Sequence, residues 1–410
     1  MTALSRRGLL GAAAGTLAAA LPALPALADP TRSHRRDSRP DPSGPRPWVP
    51  LPPPTGPHPV GTVELRLVDP SRRDPWVPSV PFRELMVSVW YPAAPNHRAR
   101  AGYMRPAASA HYDQGLARQI PRYTTGVVDF AGTPTHAGLG APVRPRRGGR
   151  PVVLYGPGGG NARTTGTVVV QELASHGYVV VTVDHTYEAA EVEFPDGRLA
   201  VDRRPTDATR EASALVRVDD TRFVLDTMAR LNAGSLLRGA LDLDRIGMVG
   251  YSAGGYAAAE TMLVDRRVRA GCNLDGKLLA DDDPVLLGRA ARQGLDRPFL
   301  QIATPGHDGS TDPSWAAIRA NSRGWYRELR LDGSTHLGLS DLQITIPFLA
   351  EVFGLTAEEV RYALGTIDPT RAVATVRAYV TAFFDRQLRG AGGNLLDRPS
   401  PRYPEMVIVA

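Results

Sequence analysis

The 410-residue sequence is nearly free of two residue types, with Cys272 its one cysteine and Lys277 its one lysine. A single cysteine excludes an intrachain disulfide, and no CxxC pair exists to hold zinc or to cycle between redox states. The 48 basic side chains are therefore almost all arginine and, against 42 acids, leave a net charge of +6. They are scattered along the chain, which reads as solvated surface and argues against nucleic acid as a partner. HExxH is absent, and a P-loop is excluded because Lys277 is followed by Leu278. Asp281-Asp282-Asp283 reads as a solvated loop, so no metal is expected. Core-forming residues are not lacking. At 42% hydrophobic and 22% charged residues, most of the chain can bury a core and is not disordered.

An uninterrupted membrane-spanning run is also missing. The apolar stretch from Gly8 to Ala26 is rich in Ala and Gly and broken by Pro22 and Pro25. Such a stretch makes a poor transmembrane anchor. Arg6-Arg7 precedes it and Ala26-Leu27-Ala28 follows, which together predict a twin-arginine-type signal peptide over 1–28 and a secreted protein cleaved near Ala28. Residues 29–60 are dense in Pro and Arg and are expected to form a flexible linker. A single catalytic domain is expected over 61–390, with a C-terminal tail at 391–410.

Alternation at 63–67 and 85–91 predicts an antiparallel hairpin. Residues 96–148 show no sustained period. From Pro151 onward, short apolar runs alternate with helical stretches, the pattern of a parallel sheet with crossover helices on both faces. Strands are expected at Val152–Tyr155, Val179–Val183, Ile246–Val249, Ala270–Leu274, Phe299–Ala303 and Tyr326–Leu331, with helices near 164–175, 212–232, 254–263, 314–322 and 370–388. Residues 186–211 read as a polar excursion and 341–364 as helical. The fold class is α/β, mostly parallel, with an N-terminal antiparallel hairpin.

Gly250-Tyr251-Ser252-Ala253-Gly254 joins one of these strands to one of these helices. A sharp strand-to-helix turn needs Gly250 and Gly254, and it presents the Ser252 hydroxyl at the sheet edge as a nucleophile. Serine requires a base, and in this architecture the chain order is serine, acid, histidine. Only His307 and His336 follow Ser252. His336, in the loop after the last strand, is the candidate base, and His307 reads as a surface residue. Two acids are open, Asp275 after the strand next to the nucleophile and Asp308 after the following one. Two backbone N–H groups must face the developing oxyanion. Ala253 supplies one, and Gly159, in Gly156-Pro157-Gly158-Gly159-Gly160-Asn161, the other. That loop, with Asp184 ending the next strand, also imitates a dinucleotide site. Asn161, however, stands where the third glycine of GxGxxG belongs.

Gly158-Gly159, Gly250-Tyr251-Ser252-Ala253-Gly254-Gly255, Asn273-Leu274-Asp275-Gly276 and His336 together resemble the platelet-activating-factor acetylhydrolase family of the plasma and intracellular type II kind. Leu173-Ala174-Ser175-His176-Gly177-Tyr178 resembles the same family's helix-to-strand passage. The resemblance runs from about 61 to 388. It implies an α/β-hydrolase fold and a serine esterase or lipase that needs no metal or cofactor, in a secreted bacterial member. In that family the acid lies 23 residues after the nucleophile, and here 275 − 252 = 23. The resemblance therefore favours Asp275 over Asp308, and Asp341 falls where the family has an aspartate. Pro157 and Tyr251 replace histidines usual in the family, departures that bear on the acyl pocket. The expected reaction is hydrolysis of a carboxylic ester, with a small-molecule or lipid ester such as an acetyl phospholipid as substrate. A polyester or cutin hydrolase or an acyltransferase is the alternative, then a silent binding protein or a dinucleotide-dependent oxidoreductase. Residues 342–349 read as buried core or, alternatively, as a patch in transient contact with a lipid surface.

Overall fold

The computed structural model describes residues 44–95, 97–234 and 236–410. The expected signal peptide and the first part of the linker lie outside them. Among the described residues, β1 (Val60–Asp69) and β2 (Arg83–Pro92) form the antiparallel hairpin. β3 (Arg100–Gly102) and β4 (Pro134–Leu139) follow, then β5 (Arg150–Gly156) and β6 (Val179–Asp184). β7 (Glu191–Glu193) and β8 (Leu199–Val201) make a separate small hairpin within the polar excursion. β9 (Leu241–Tyr251), β10 (Val268–Leu274), β11 (Phe299–Ala303), β12 (Tyr326–Leu331) and β13 (Met406–Ile408) complete the strands. Their order in the main sheet is β13-β12-β11-β10-β9-β5-β6-β2-β1-β4-β3.

The stretch from β12 to β6 is parallel throughout. Every residue of β5 and β6 is buried, as a sheet covered on both faces demands, which is why these strands read as continuous apolar runs. Side chains alternate between two layers. Val153, Tyr155 and Val249 face α2 (Thr167–Ser175) and α9 (Pro369–Arg389). Val152, Leu154 and Met248 face α3 (Arg210–Ala233), α4 (Ala253–Val264), α5 (Arg289–Gln293) and α6 (Pro313–Asn321). A further cluster over the sheet joins α1 (Pro106–Ala117), α7 (Leu342–Phe353) and α8 (Ala357–Leu364). This is the α/β-hydrolase fold. No helix of the described residues is long and apolar enough to cross a membrane.

Three segments differ from the sequence reading, while 342–349 follows its core reading. Residues 47–59, expected as linker, lie against the body. Val49 and Leu51 are buried, Arg377 donates to the carbonyls of Pro52 and Pro53 at 2.9 Å, and Thr55 N–H donates to Glu172. A proline-rich strand leaves its carbonyls unpaired, and one arginine from α9 satisfies two of them. The C-terminal tail is part of the sheet, because β13 pairs antiparallel with β12 and buries Met406. Two short strands, β3 and β4, come from the region without a period; β3 has only three residues, too few for alternation to register, and β4, Pro134-Thr135-His136-Ala137-Gly138-Leu139, alternates in burial without large apolar side chains on its buried face. The stretch 342–349 lies in α7, where Ile346 and Leu349 are buried in the core.

Candidate active site

Parallel strands deliver their carboxyl ends to one edge. Gly156 pairs with Gly250, Gly250 with Asn273, and Leu274 with Ile302. The loops after β5, β9, β10, β11 and β12 therefore converge around a cavity of about 680 Å³. Gly159, Ser252, Ala253, Asp275, His307 and His336 all line it.

Ser252 is the N-cap of α4, with φ 53° and ψ −119°. A side chain rarely adopts that conformation, and a strained residue at a cleft is a mark of function. Its neighbours must be glycine. A Cβ on Gly250 would lie 2.0 Å from the Gly254 carbonyl, and one on Gly254 2.0 Å from the Gly156 carbonyl oxygen. The turn also ties the strands together, since Ser252 N–H donates to Leu274 O at 2.8 Å.

His336 follows β12 in a loop and opens a short 3₁₀ turn. Its Nε2 is 3.0 Å from Ser252 Oγ, and its Nδ1 is 2.7 Å from Asp275 Oδ2. The Tyr251 ring packs at 4.9 Å against the imidazole. Asp275 is buried and itself at positive φ. Thr304 N–H donates to its Oδ1 at 2.8 Å and Thr304 Oγ1 to its Oδ2 at 2.9 Å. The turn carrying it is fixed by Asn273, whose amide bonds both Gly276 N–H and Gly276 O at 2.8 Å. Burial works to raise the pKa of Asp275, but hydrogen bonds from His307 and His336 outweigh it and hold it below the usual carboxylate value. Asp308 takes no part in this. It is buried rather than solvated, and it accepts from Ser310 N–H at 2.9 Å and from Arg330 at 3.0 Å.

Two residues were missed or misread in the sequence. His307 is no surface histidine. Its Nδ1 is 3.0 Å from Asp275 Oδ1 and its Nε2 3.1 Å from Asp312 Oδ2. Burial lowers its pKa, yet the two carboxylates overcome this and raise it to about 9. Arg217, buried in α3, donates to the carbonyls of Pro157 and Gly158 and pairs with buried Glu188 at 2.7 Å. Turning these carbonyls toward Arg217 leaves the following N–H groups for the cavity side. No loop or cap hydrogen bond takes the N–H of Gly159 or Ala253 among the described residues. An arginine on the buried face of a predicted helix was the signal for this residue.

Asp275, His307 and His336 also bring three metal-ligating atoms within 4.8 Å of one another. Asp275 already pairs with both imidazoles, and the arrangement reads as an acid–imidazole network. Chemically it offers a hydroxyl, a base oriented by a carboxylate, and two free N–H groups beside them.

The probable 1-alkyl-2-acetylglycerophosphocholine esterase of Arthroderma benhamiae is 30% identical over 385 residues, covering 88% of this chain and 93% of that one. The chain belongs to the platelet-activating factor acetylhydrolase family. The model of this acetylhydrolase family's isoform II matches residues 46–196. The platelet-activating factor acetylhydrolase of Bos taurus is 24% identical over 163 residues, 33% of this chain and 37% of its own length. A solved ferulic acid esterase from Streptomyces cinnamoneus superposes with a TM-score of 0.73 at 37% identity, covering 89% of this chain and 99% of the esterase. This acetylhydrolase-family chain is a carboxylic ester hydrolase.

Proposed function

We propose that the chain is an exported serine esterase that works through an acyl-enzyme on Ser252. Ser252 Oγ attacks the ester carbonyl while His336 Nε2 takes its proton, and the carbonyl oxygen, now negative, is held by the N–H groups of Gly159 and Ala253. Collapse expels the alcohol, which receives its proton from His336. Water then attacks the acyl-serine by the same route and the acid leaves. Asp275 keeps Nδ1–H of His336 pointed at itself, so that Nε2 is free to accept. The observation that carries this reading is the pair of contacts made by His336, 3.0 Å to Ser252 Oγ and 2.7 Å to Asp275 Oδ2.

The preferred substrates are esters of small acyl groups, with acetyl esters of glycerophospholipids as the class drawn from the relatives. A second reading, hydroxycinnamoyl esters, is favoured by the ferulic acid esterase, which is the more identical and more fully covered relative. Purified enzyme assayed on p-nitrophenyl acetate, butyrate and palmitate, an acetyl ether phospholipid and methyl ferulate separates them. Fastest turnover on the acetyl phospholipid supports the first reading, and fastest turnover on methyl ferulate the second. Palmitate as the best substrate would refute both. Export is tested by sequencing the N-terminus of the protein from culture medium, which should begin near Asp29.

A further inference from the structure

The carboxylate of Asp275 is used twice. His336 Nδ1 approaches Oδ2 at 2.7 Å, and His307 Nδ1 approaches Oδ1 at 3.0 Å. On its other side His307 Nε2 meets Asp312 Oδ2 at 3.1 Å. Asp312 cannot swing away, because it caps α6 and its Oδ1 accepts from Ser314 N–H at 2.8 Å and Ser314 Oγ at 2.5 Å. A neutral imidazole has one N–H. With a buried carboxylate facing each ring nitrogen, the neutral form would set a lone pair against one of them, so the imidazolium alone satisfies both.

We propose that His307 is a positioning residue for ester hydrolysis, a standing imidazolium that clamps Asp275 in place and, by its charge, opposes protonation of His336. The proposal rests on the reading of Ser252, His336 and Asp275 given above. The pKa of His307, raised to about 9 by Asp275 and Asp312 against burial, agrees with the geometry. So does that of Asp312, which His307 and Ser314 pull down to about 2 against burial.

The charged surroundings are defined. Asp275 faces His307 from the end of β10 and Asp312 from the cap of α6; the Trp315 ring packs against it at 5.2 Å, and His336 stands across Asp275. Lys277, Arg204, Arg210, Arg217 and Glu188 share the cavity wall. A cation at His307 disfavours a second cation on the other side of Asp275, and His307→Gln removes that repulsion. Ring nitrogens that lie within 4.8 Å of each other couple by about 2.5 pH units at an effective dielectric of about 20 and by about 0.6 in bulk water, so a half-buried pair couples by at least about one.

The test is kcat/KM for p-nitrophenyl acetate against pH in the wild type and in His307→Gln, which keeps a hydrogen-bond donor but not the charge. The acid limb should move to higher pH by at least about one unit, with KM changing less than kcat. In wild-type enzyme labelled with ¹⁵N-histidine, one imidazole should remain doubly protonated at about pH 8, and its signal should vanish in the variant. An unmoved acid limb in folded His307→Gln overturns the proposal, as does a wild-type spectrum with no doubly protonated imidazole at that pH. Fluorophosphonate labelling of the same preparations separates the two levels. Intact labelling of Ser252 with an unmoved limb refutes the role of His307 alone, whereas labelling elsewhere refutes the site reading beneath it.

Discussion

Replacing Asp275 by asparagine should cost about 10⁴-fold in kcat, and hydrogen-bond accounting shows why. Oδ1 accepts from Thr304 N–H at 2.8 Å and faces His307, while Oδ2 accepts from Thr304 Oγ1 at 2.9 Å and faces His336. An amide NH₂ at the first position would oppose a backbone donor that cannot turn round. At the second it opposes only a hydroxyl, which can accept, and an imidazole, which can change tautomer. The asparagine therefore settles with NH₂ toward His336, forcing Nδ1 to accept and putting the proton on Nε2, against Ser252. A base with its proton already on the wrong nitrogen cannot take the serine's; in serine proteases the same exchange lowers kcat about 10⁴-fold, or about 5.5 kcal/mol of barrier. Asp308→Asn should lose less than about tenfold, since its partners are Ser310 and Arg330 and neither touches the imidazole. The assay is p-nitrophenyl acetate turnover, with melting temperature confirming that both variants fold. If Asp308→Asn is the more damaged, the acid has been misassigned.

Ser252→Ala and Ser252→Gly should both lose at least about 10⁴-fold in turnover. The glycine variant should be the more stable of the two by about 1 kcal/mol in thermal melts, because φ 53° strains alanine and not glycine. Arg217→Met should destabilise the fold by about 3–5 kcal/mol by leaving Glu188 buried without its closest partner. Adding Glu188→Gln should restore much of the melting temperature but not kcat, if Arg217 also sets the loop carrying Gly159. Asp341 is a buried acid whose pKa burial pushes up to about 7, against the hydrogen bond from Val168 N–H at 3.1 Å. An acid with its folded value raised binds its proton more tightly folded than unfolded, so this group's contribution to stability falls as pH rises from about 4 to 7 and stays lost above. Asp341→Asn should flatten that part of the stability profile and melt no lower than wild type at about pH 8. A lower melting point there would show that the ionised form is the stabilising one.

The α/β alternation, the strand-to-helix turn at Ser252 and the histidine that meets it were legible in the sequence because local rules govern them. A strand covered on both faces is apolar along most of its length, a turn in which a Cβ on Gly254 would lie 2.0 Å from the Gly156 carbonyl oxygen admits only glycine there, and chain order leaves two histidines after the serine. Chain order left Asp275 and Asp308 open, since both follow parallel strands at the same edge, and the 23-residue spacing favoured Asp275 only through the family resemblance. The folded chain distinguishes them directly, by which carboxylate lies 2.7 Å from His336 and which is taken by Arg330. The roles of His307 and Arg217 were illegible for the same reason. A histidine among glycine, aspartate and serine looks like a solvated turn until Asp275 and Asp312, 32 residues behind and five ahead, close on both its nitrogens. The docking of residues 47–59 and the pairing of β13 likewise depend on partners far along the chain, Arg377 for the first and β12 for the second. Local sequence determines what a segment can become; which charges and carbonyls meet is decided only when the sheet brings distant loops to one edge.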